Sequence, residues 1–202
     1  MVEASSEIVE AHFNGHETAG RRCLALLKDK IYLAALDLAQ GLYRGHKVLA
    51  FGNGGSASQA SHFAGELLGR YAPGPRRGLA AVALASDASV TTCIANDFDF
   101  ASIFERQVEA LAQPGDLAVA FTTSGKSPNV LRALAAAERN GAVTFALTGA
   151  AGLDGGCARH TLAVPSTSTA HIQEMHLVIL HIWCEIIERT GAAGDFARSA
   201  RI

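Results

Sequence analysis

The chain has no basic run. Its 17 Lys and Arg and 19 Asp and Glu are interspersed through 202 residues and leave a formal charge of −2, so the cationic face that a nucleic-acid binder offers to phosphates is missing. It also has no C-x-x-C pair. Cys23, Cys93, Cys157 and Cys184 are scattered, and a chain of this size with a good core folds without disulfides, so they are expected to be buried free thiols. No uninterrupted apolar run approaches the ~20 residues of a membrane span, and no membrane partner is expected. The start, "MVEASSEIVEAHF", is acidic and has no basic region followed by an apolar stretch, so no secretory signal is read and the cytoplasm is the default expectation. Internal repeats and low-complexity linkers are absent too. Aromatics make up only 6%, yet hydrophobic residues reach 49%, enough for one domain over 1–202 with a sizeable core.

Five apolar segments have strand character: "KVLAF" (47–51), "LAAVAL" (79–84), "LAVAF" (117–121), "VTFAL" (143–147) and "TLAV" (161–164). They are continuous rather than alternating, as strands covered on both faces are. Between them lie helical stretches such as "SPNVLRALAAAERNGA", where Ser127 can cap, Pro128 suits the first turn and Gly141 the stop. Strands alternating with helices predict an α/β fold with a doubly wound parallel sheet over about 46–165. A helical extension of about 1–45, broken around Lys28 to Lys30, precedes it. A helix over about 170–190 follows, apolar on more than one side and therefore expected to meet another subunit as well as its own core. Residues 191–202 lack periodicity and are expected to be loose.

In open α/β sheets, ligands bind beyond the carboxyl ends of the strands. Two segments there match in character. "GNGGS" follows "KVLAF" and "TTSGKS" follows "LAVAF"; each offers backbone N–H groups, hydroxyls and a helix N-terminus, which is what an anion needs. Neither has Walker spacing, and "GNGG" is no dinucleotide fingerprint. One such loop alone would be an ordinary polar turn; two at corresponding strand ends point to a phosphate. His62 and Glu66 are four apart and so neighbours on a helix that starts at the first loop. The C-terminal helix adds Gln173, Glu174, His176 and His181 to an otherwise apolar sequence. Spacing leaves open which of these four act together: Gln173 and His181, eight apart, are separated by ~12 Å along the axis and meet only across a ligand or between subunits.

At these residues the chain resembles the phosphoheptose isomerases, a branch of the sugar isomerase (SIS) domain family. The stretches that carry the resemblance are "GNGGS", "HFAGELLGRY", "ANDFDF", "TTSGKS" and "IQEMHLVILH", spanning about residues 20–190. It implies a five-stranded parallel sheet flanked by helices, a homotetramer with sites at subunit contacts, and one zinc ion per subunit held by His62, Glu66, Gln173 and His181. It also implies substrate contacts from Asn53, Gly54, Gly55, Glu66, Asn96, Asp97, Thr122, Thr123, Ser124, Ser127 and Gln173, with Ser56 and Arg70 as further candidates. Thr122 stands where the family usually has Ser, Lys126 replaces a frequent Asn, and Ala170 lies where some members place an Asp.

The implied reaction turns a phosphorylated ketose, sedoheptulose 7-phosphate, into an aldose, D-glycero-D-manno-heptose 7-phosphate. It proceeds through an enediol, with Glu66 as base and His181 as acid. The alternative is a non-catalytic relative with the same domain that binds a replication initiator protein. The pair Glu66 and His181, which such scaffolds lack, favours the enzyme. A sugar-phosphate-sensing regulator would carry an added DNA-binding domain.

Overall fold

The computed structural model describes residues 2–192 except Pro75 and Cys157. Five strands, β1 (Val48–Gly52), β2 (Ala81–Ala83), β3 (Leu117–Phe121), β4 (Val143–Thr148) and β5 (His160–Ala163), form one sheet in the order β2-β1-β3-β4-β5. Every pairing is parallel. Side chains alternate between two cores: Leu117, Val119 and Phe121 of β3 face one, Ala118 and Ala120 the other. Both faces are therefore dry, which is why these strands read as unbroken apolar runs.

Helices α1 (Val2–Tyr43), α2 (Gly55–Leu68) and α6 (Thr169–Ala192) cover one face. The other carries α3 (Ala88–Asp97), α4 (Glu105–Leu111) and α5 (Pro128–Arg139). The carboxylate of Asp87 caps α3 by accepting from the N–H groups of Ser89 and Val90. Ser127 occupies the N-cap of α5 and Pro128 its first turn, as expected, but the Ser127 hydroxyl makes no capping bond. The edge strand β2 is shorter than the apolar run around it, and ahead of it the Leu79 N–H donates to the carbonyl of Leu67 on α2.

Two other expectations are corrected, and the reason given for a third is weakened. The first helix is not broken near Lys28: Leu27 and Ile31 are buried one turn apart, and Lys28, Asp29 and Lys30 all lie on the exposed side between them. At 1.5 Å per residue it is a rod of ~63 Å. The apolar character of the C-terminal helix does not by itself call for a second partner, since Ile179, Leu180, Trp183, Cys184 and Ile187 are all buried within the chain and, of its large apolar side chains among the described residues, only Val178 and Ile182 are exposed. Exposed apolar side chains gather instead on α1, at Ile8, Val9, Phe13, Leu24, Leu26, Tyr32 and Leu33. Of the cysteines, Cys23 and Cys184 are buried free thiols but Cys93 is exposed, its thiol donating to Asp97. Cys157 and the tail beyond residue 192 lie outside the described residues. No helix among the described residues is long and apolar enough to cross a membrane.

Candidate active site

The strand order reverses direction between β1 and β3, and ligands bind at such switch points, outside the carboxyl ends of the strands. Here Gly52 at the end of β1 lies in register with Phe121 at the end of β3, so the two loops singled out by sequence start side by side. Asn53 of the first and Asn129 at the start of α5 exchange reciprocal amide hydrogen bonds of 2.9 and 2.8 Å. Between the loops is a polar pocket of about 60 Å³ lined by Asn53, Ser56, Phe121, Thr122, Thr123, Ser124 and Ser127.

The "TTSGKS" loop is fixed by its own hydroxyls and by a neighbouring loop. The Thr122 Oγ1 accepts from the Gly125 N–H at 3.2 Å and the Ser124 Oγ from the Lys126 N–H at 3.2 Å. Gly125 has φ +67°, and a Cβ there would lie 1.7 Å from the carbonyl oxygen of Gly152, so no other residue fits. The N–H of Asp154 returns a bond to the Gly125 carbonyl, and that of Gly149 one to the Thr123 carbonyl.

A second group of polar side chains lies where α2 and α6 touch. Glu66 Oε1 is 3.0 Å from His62 Nε2, and His181 Nε2 is 3.4 Å from the same nitrogen. A single Nε2 shares a proton with only one of these neighbours. A metal ion would satisfy all three, because two imidazole nitrogens bound at 2.0–2.1 Å to a tetrahedral ion are about 3.3 Å apart. The ligating atoms of His62, Glu66 and His181 all lie within 4.8 Å of one another, and their N/O chemistry is what such an ion accepts. The residues therefore fit a divalent metal. The His181 ring is flanked by Tyr71, with centroids 5.8 Å apart.

The SIS domain model matches residues 13–149. The chain is 50% identical over 152 residues to the phosphoheptose isomerase of Aquifex aeolicus, covering 75% of this chain and 79% of that one. It is 43% identical over 189 residues to that of Methylococcus capsulatus, covering 90% and 95%. The solved phosphoheptose isomerase GmhA of Neisseria gonorrhoeae superposes with a TM-score of 0.82 at 39% identity, over 91% of this chain and 98% of that one. The chain belongs to the phosphoheptose isomerase branch of the SIS domain family.

In this phosphoheptose isomerase homologue the remaining predicted site residues are distributed unevenly. The Gln173 side chain stands against Gly55, where a Cβ would lie 2.7 Å from its Nε2, and it makes no hydrogen bond to His62, Glu66 or His181 among the described residues. It therefore meets the N-terminus of α2. Gly54 and Gly55 are exposed at that same N-terminus. Asn96 and Asp97 are exposed at the end of α3 and bond each other at 2.9 Å, away from the pocket lining. Arg70 is exposed beyond the end of α2. His176, which spacing could not separate from His181, is fully buried; its Nε2–H donates to the Thr148 carbonyl, and burial lowers its pKa to about 4.

Sequence reading missed three residues that hold the site. Asn129 orients Asn53. Gln59 donates from Nε2 to the Gln173 carbonyl at 2.6 Å, joining α2 to α6. Arg76 donates to the carbonyls of Glu66 and Leu67 and to the Glu188 carboxylate at 2.8 Å, so a cation closes the C-terminal end of the helix that carries Glu66. Burial works against ionising Glu188, but hydrogen bonds from Arg76 and the Tyr71 N–H outweigh it and hold its carboxyl below the usual range. Only "GPRR", a cation soon after a helix, could have hinted at this.

Proposed function

We propose that this chain interconverts sedoheptulose 7-phosphate and D-glycero-D-manno-heptose 7-phosphate by proton transfer between C1 and C2 through an enediol. The observation that carries the reading is that one helix, α2, starts at a small hydroxyl-lined pocket and carries two members of a His–Glu–His group completed by α6, in a chain 39–50% identical to proteins named phosphoheptose isomerase.

The phosphate is assigned to the two loops. At about 15 Å³ per water-sized group, a 60 Å³ pocket holds roughly four such groups, about the number of oxygens on a phosphate. Ser124, Ser127, Thr123 and Ser56 donate hydroxyl hydrogen bonds there. Ser127 is free to do so because it makes no cap bond. The N-termini of α2 and α5 add favourable dipoles. Asn53, Gly54, Gly55 and Gln173 are assigned to the sugar between the two ends. Asn96, Asp97 and Arg70 are assigned to the substrate on the resemblance, and the apposition of a second subunit is the arrangement that would bring them to it.

Glu66 is the base. Oε1 is engaged by His62, which leaves Oε2 to take the proton from carbon. His181 delivers a proton to the carbonyl oxygen as negative charge develops there. Its ring is held by His62 on one side and Tyr71 on another. Zinc is the ion we assign to His62, Glu66 and His181, with Gln173 as the further ligand; when bound it supplies a Lewis acid that polarises the carbonyl. A homotetramer is the assembly we assign, supported by the apolar side chains exposed along α1, and the cytoplasm the compartment.

The test is to follow sedoheptulose 7-phosphate with the pure protein in deuterated water by NMR. Appearance of the aldose with solvent deuterium at the carbon next to the carbonyl is expected. No aldose and no exchange on any phosphorylated ketose would leave the scaffold reading in its place.

A further inference from the structure

Away from this site, α1 and α6 bring three histidines onto one carboxylate. His12 Nε2 is 2.6 Å from Glu174 Oε1, while His16 Nδ1 and His171 Nδ1 are 2.9 and 3.0 Å from Glu174 Oε2. The two chain segments are some 160 residues apart in sequence. Each helix contributes a chelating pair on one face, His12 and His16 at i, i+4 and His171 and Glu174 at i, i+3. Pairs of this spacing on facing helices are how bundle metal sites are built.

His171 is seated rather than loosely exposed. Its Nε2 lies over Gly15 of α1, where a Cβ would be only 2.3 Å away. Glycine is a poorer helix former than alanine, and here its missing side chain is the space that the imidazole fills, with Nδ1 towards Glu174. The His171 and Glu174 side chains are 15% and 29% exposed, those of His12 and His16 54% and 46%. The group thus has a fixed floor and an open lid, and a cleft of about 360 Å³ lined by Gly15, Thr18, Arg22, Ser166 and His171 runs up to it. The ligating atoms of His12, His171 and Glu174 lie within 4.8 Å of one another, and two imidazoles with one carboxylate form a zinc-type donor set.

We propose that His12, His171 and Glu174, with His16 beside them, form a second metal site that takes a divalent transition ion of the zinc class and ties the N-terminal part of α1 to α6. The site shares no ligand with the His62, Glu66 and His181 group and does not depend on the isomerase reading.

The experiment strips the full-length protein with a chelator and titrates it with Zn²⁺ alone against a chromophoric competitor. Wild type, His62→Ala/His181→Ala, His12→Ala/His16→Ala and Gly15→Ala are compared, with circular dichroism as the folding control. The expected result is loss of one equivalent in His12→Ala/His16→Ala and in Gly15→Ala, and retention of that equivalent in His62→Ala/His181→Ala. In parallel, Zn²⁺ should slow proteolysis within residues 6–20 in wild type and His62→Ala/His181→Ala only. A Zn²⁺ stoichiometry unchanged by His12→Ala/His16→Ala overturns the proposal. Loss in that variant with retention in Gly15→Ala would remove His171 from the ligand set and overturn it in this form.

Discussion

Helix α6 contributes to two histidine–carboxylate groups, one shared with α1 and one with α2, that differ in how well their protons are shared. Around Glu174 both oxygens accept from imidazoles and nothing is contested. Burial disfavours its charge, but the bonds from His171, His16 and His12 outweigh that and hold the carboxyl at about 2. Around His62 a single nitrogen faces both a carboxylate and a second imidazole. The first group joins α1 to α6, and the second joins α2 to α6. His176, between them on the same helix, shows what an imidazole without a carboxylate does there: it stays neutral in the core.

The sharpest way to break this comparison is to make both carboxylates amides. Glu66→Gln should lower turnover on sedoheptulose 7-phosphate by about 10²- to 10⁴-fold, and Glu174→Gln by less than about tenfold; equal losses would erase the distinction. The support of the two groups differs as well. Arg76 and Glu188 are 11% and 15% exposed, so Arg76→Ala leaves Glu188 without its cation and the carbonyls of Glu66, Leu67 and Arg77 without their donor and should cost about 3 kcal/mol in urea unfolding, with turnover falling because Glu66 loses its anchor. A stability change under 1 kcal/mol would make Arg76 a bystander.

Acid should separate His176 from Glu174. The folded pKa of His176, about 4, is below its ordinary 6.5, so the unfolded chain binds the extra proton. Its contribution is complete above pH 6.5 and is lost as pH falls towards 4, by about 3 kcal/mol for the 2.5-unit difference. Glu174, depressed from 4.5 to about 2, keeps its contribution down to pH 4.5 and loses it only below. His176→Gln should therefore flatten the stability profile between pH 6.5 and 4, measured by urea titration; an unchanged slope there would refute the burial argument. The smallest expected effect belongs to the pocket. Ser124→Ala should raise KM about tenfold through one lost hydrogen bond to a charged group, with kcat nearly unchanged. A fall confined to kcat would shift Ser124 into the chemical step.

What was legible in the sequence was local. The strands read as apolar runs because both sheet faces are covered, and "GNGGS" and "TTSGKS" read as a pair because β1 and β3 are neighbours at the switch point. The continuity of α1 was hidden by Lys28, Asp29 and Lys30, which look like a break unless Leu27 and Ile31 are known to be buried. The Glu174 group was hidden by chain distance: nothing near "HFNGH" announces "HIQE", and only the docking of α1 on α6 joins them. Arg76 and Asn129 act through backbone carbonyls and a reciprocal amide pair, neither of which has a residue-type signature.

The contact of Gly125 with Gly152 sets the thermodynamic character of the hydroxyl-lined pocket. With the hydroxyl loop pinned by backbone bonds to residues 149–154, its donors are already aimed before anything arrives, so ligand capture orders little of the protein and forfeits little entropy. A loop built this way favours fast arrival and release over an opening step, and a side chain at 125 would exchange that readiness for a pocket that must first rearrange.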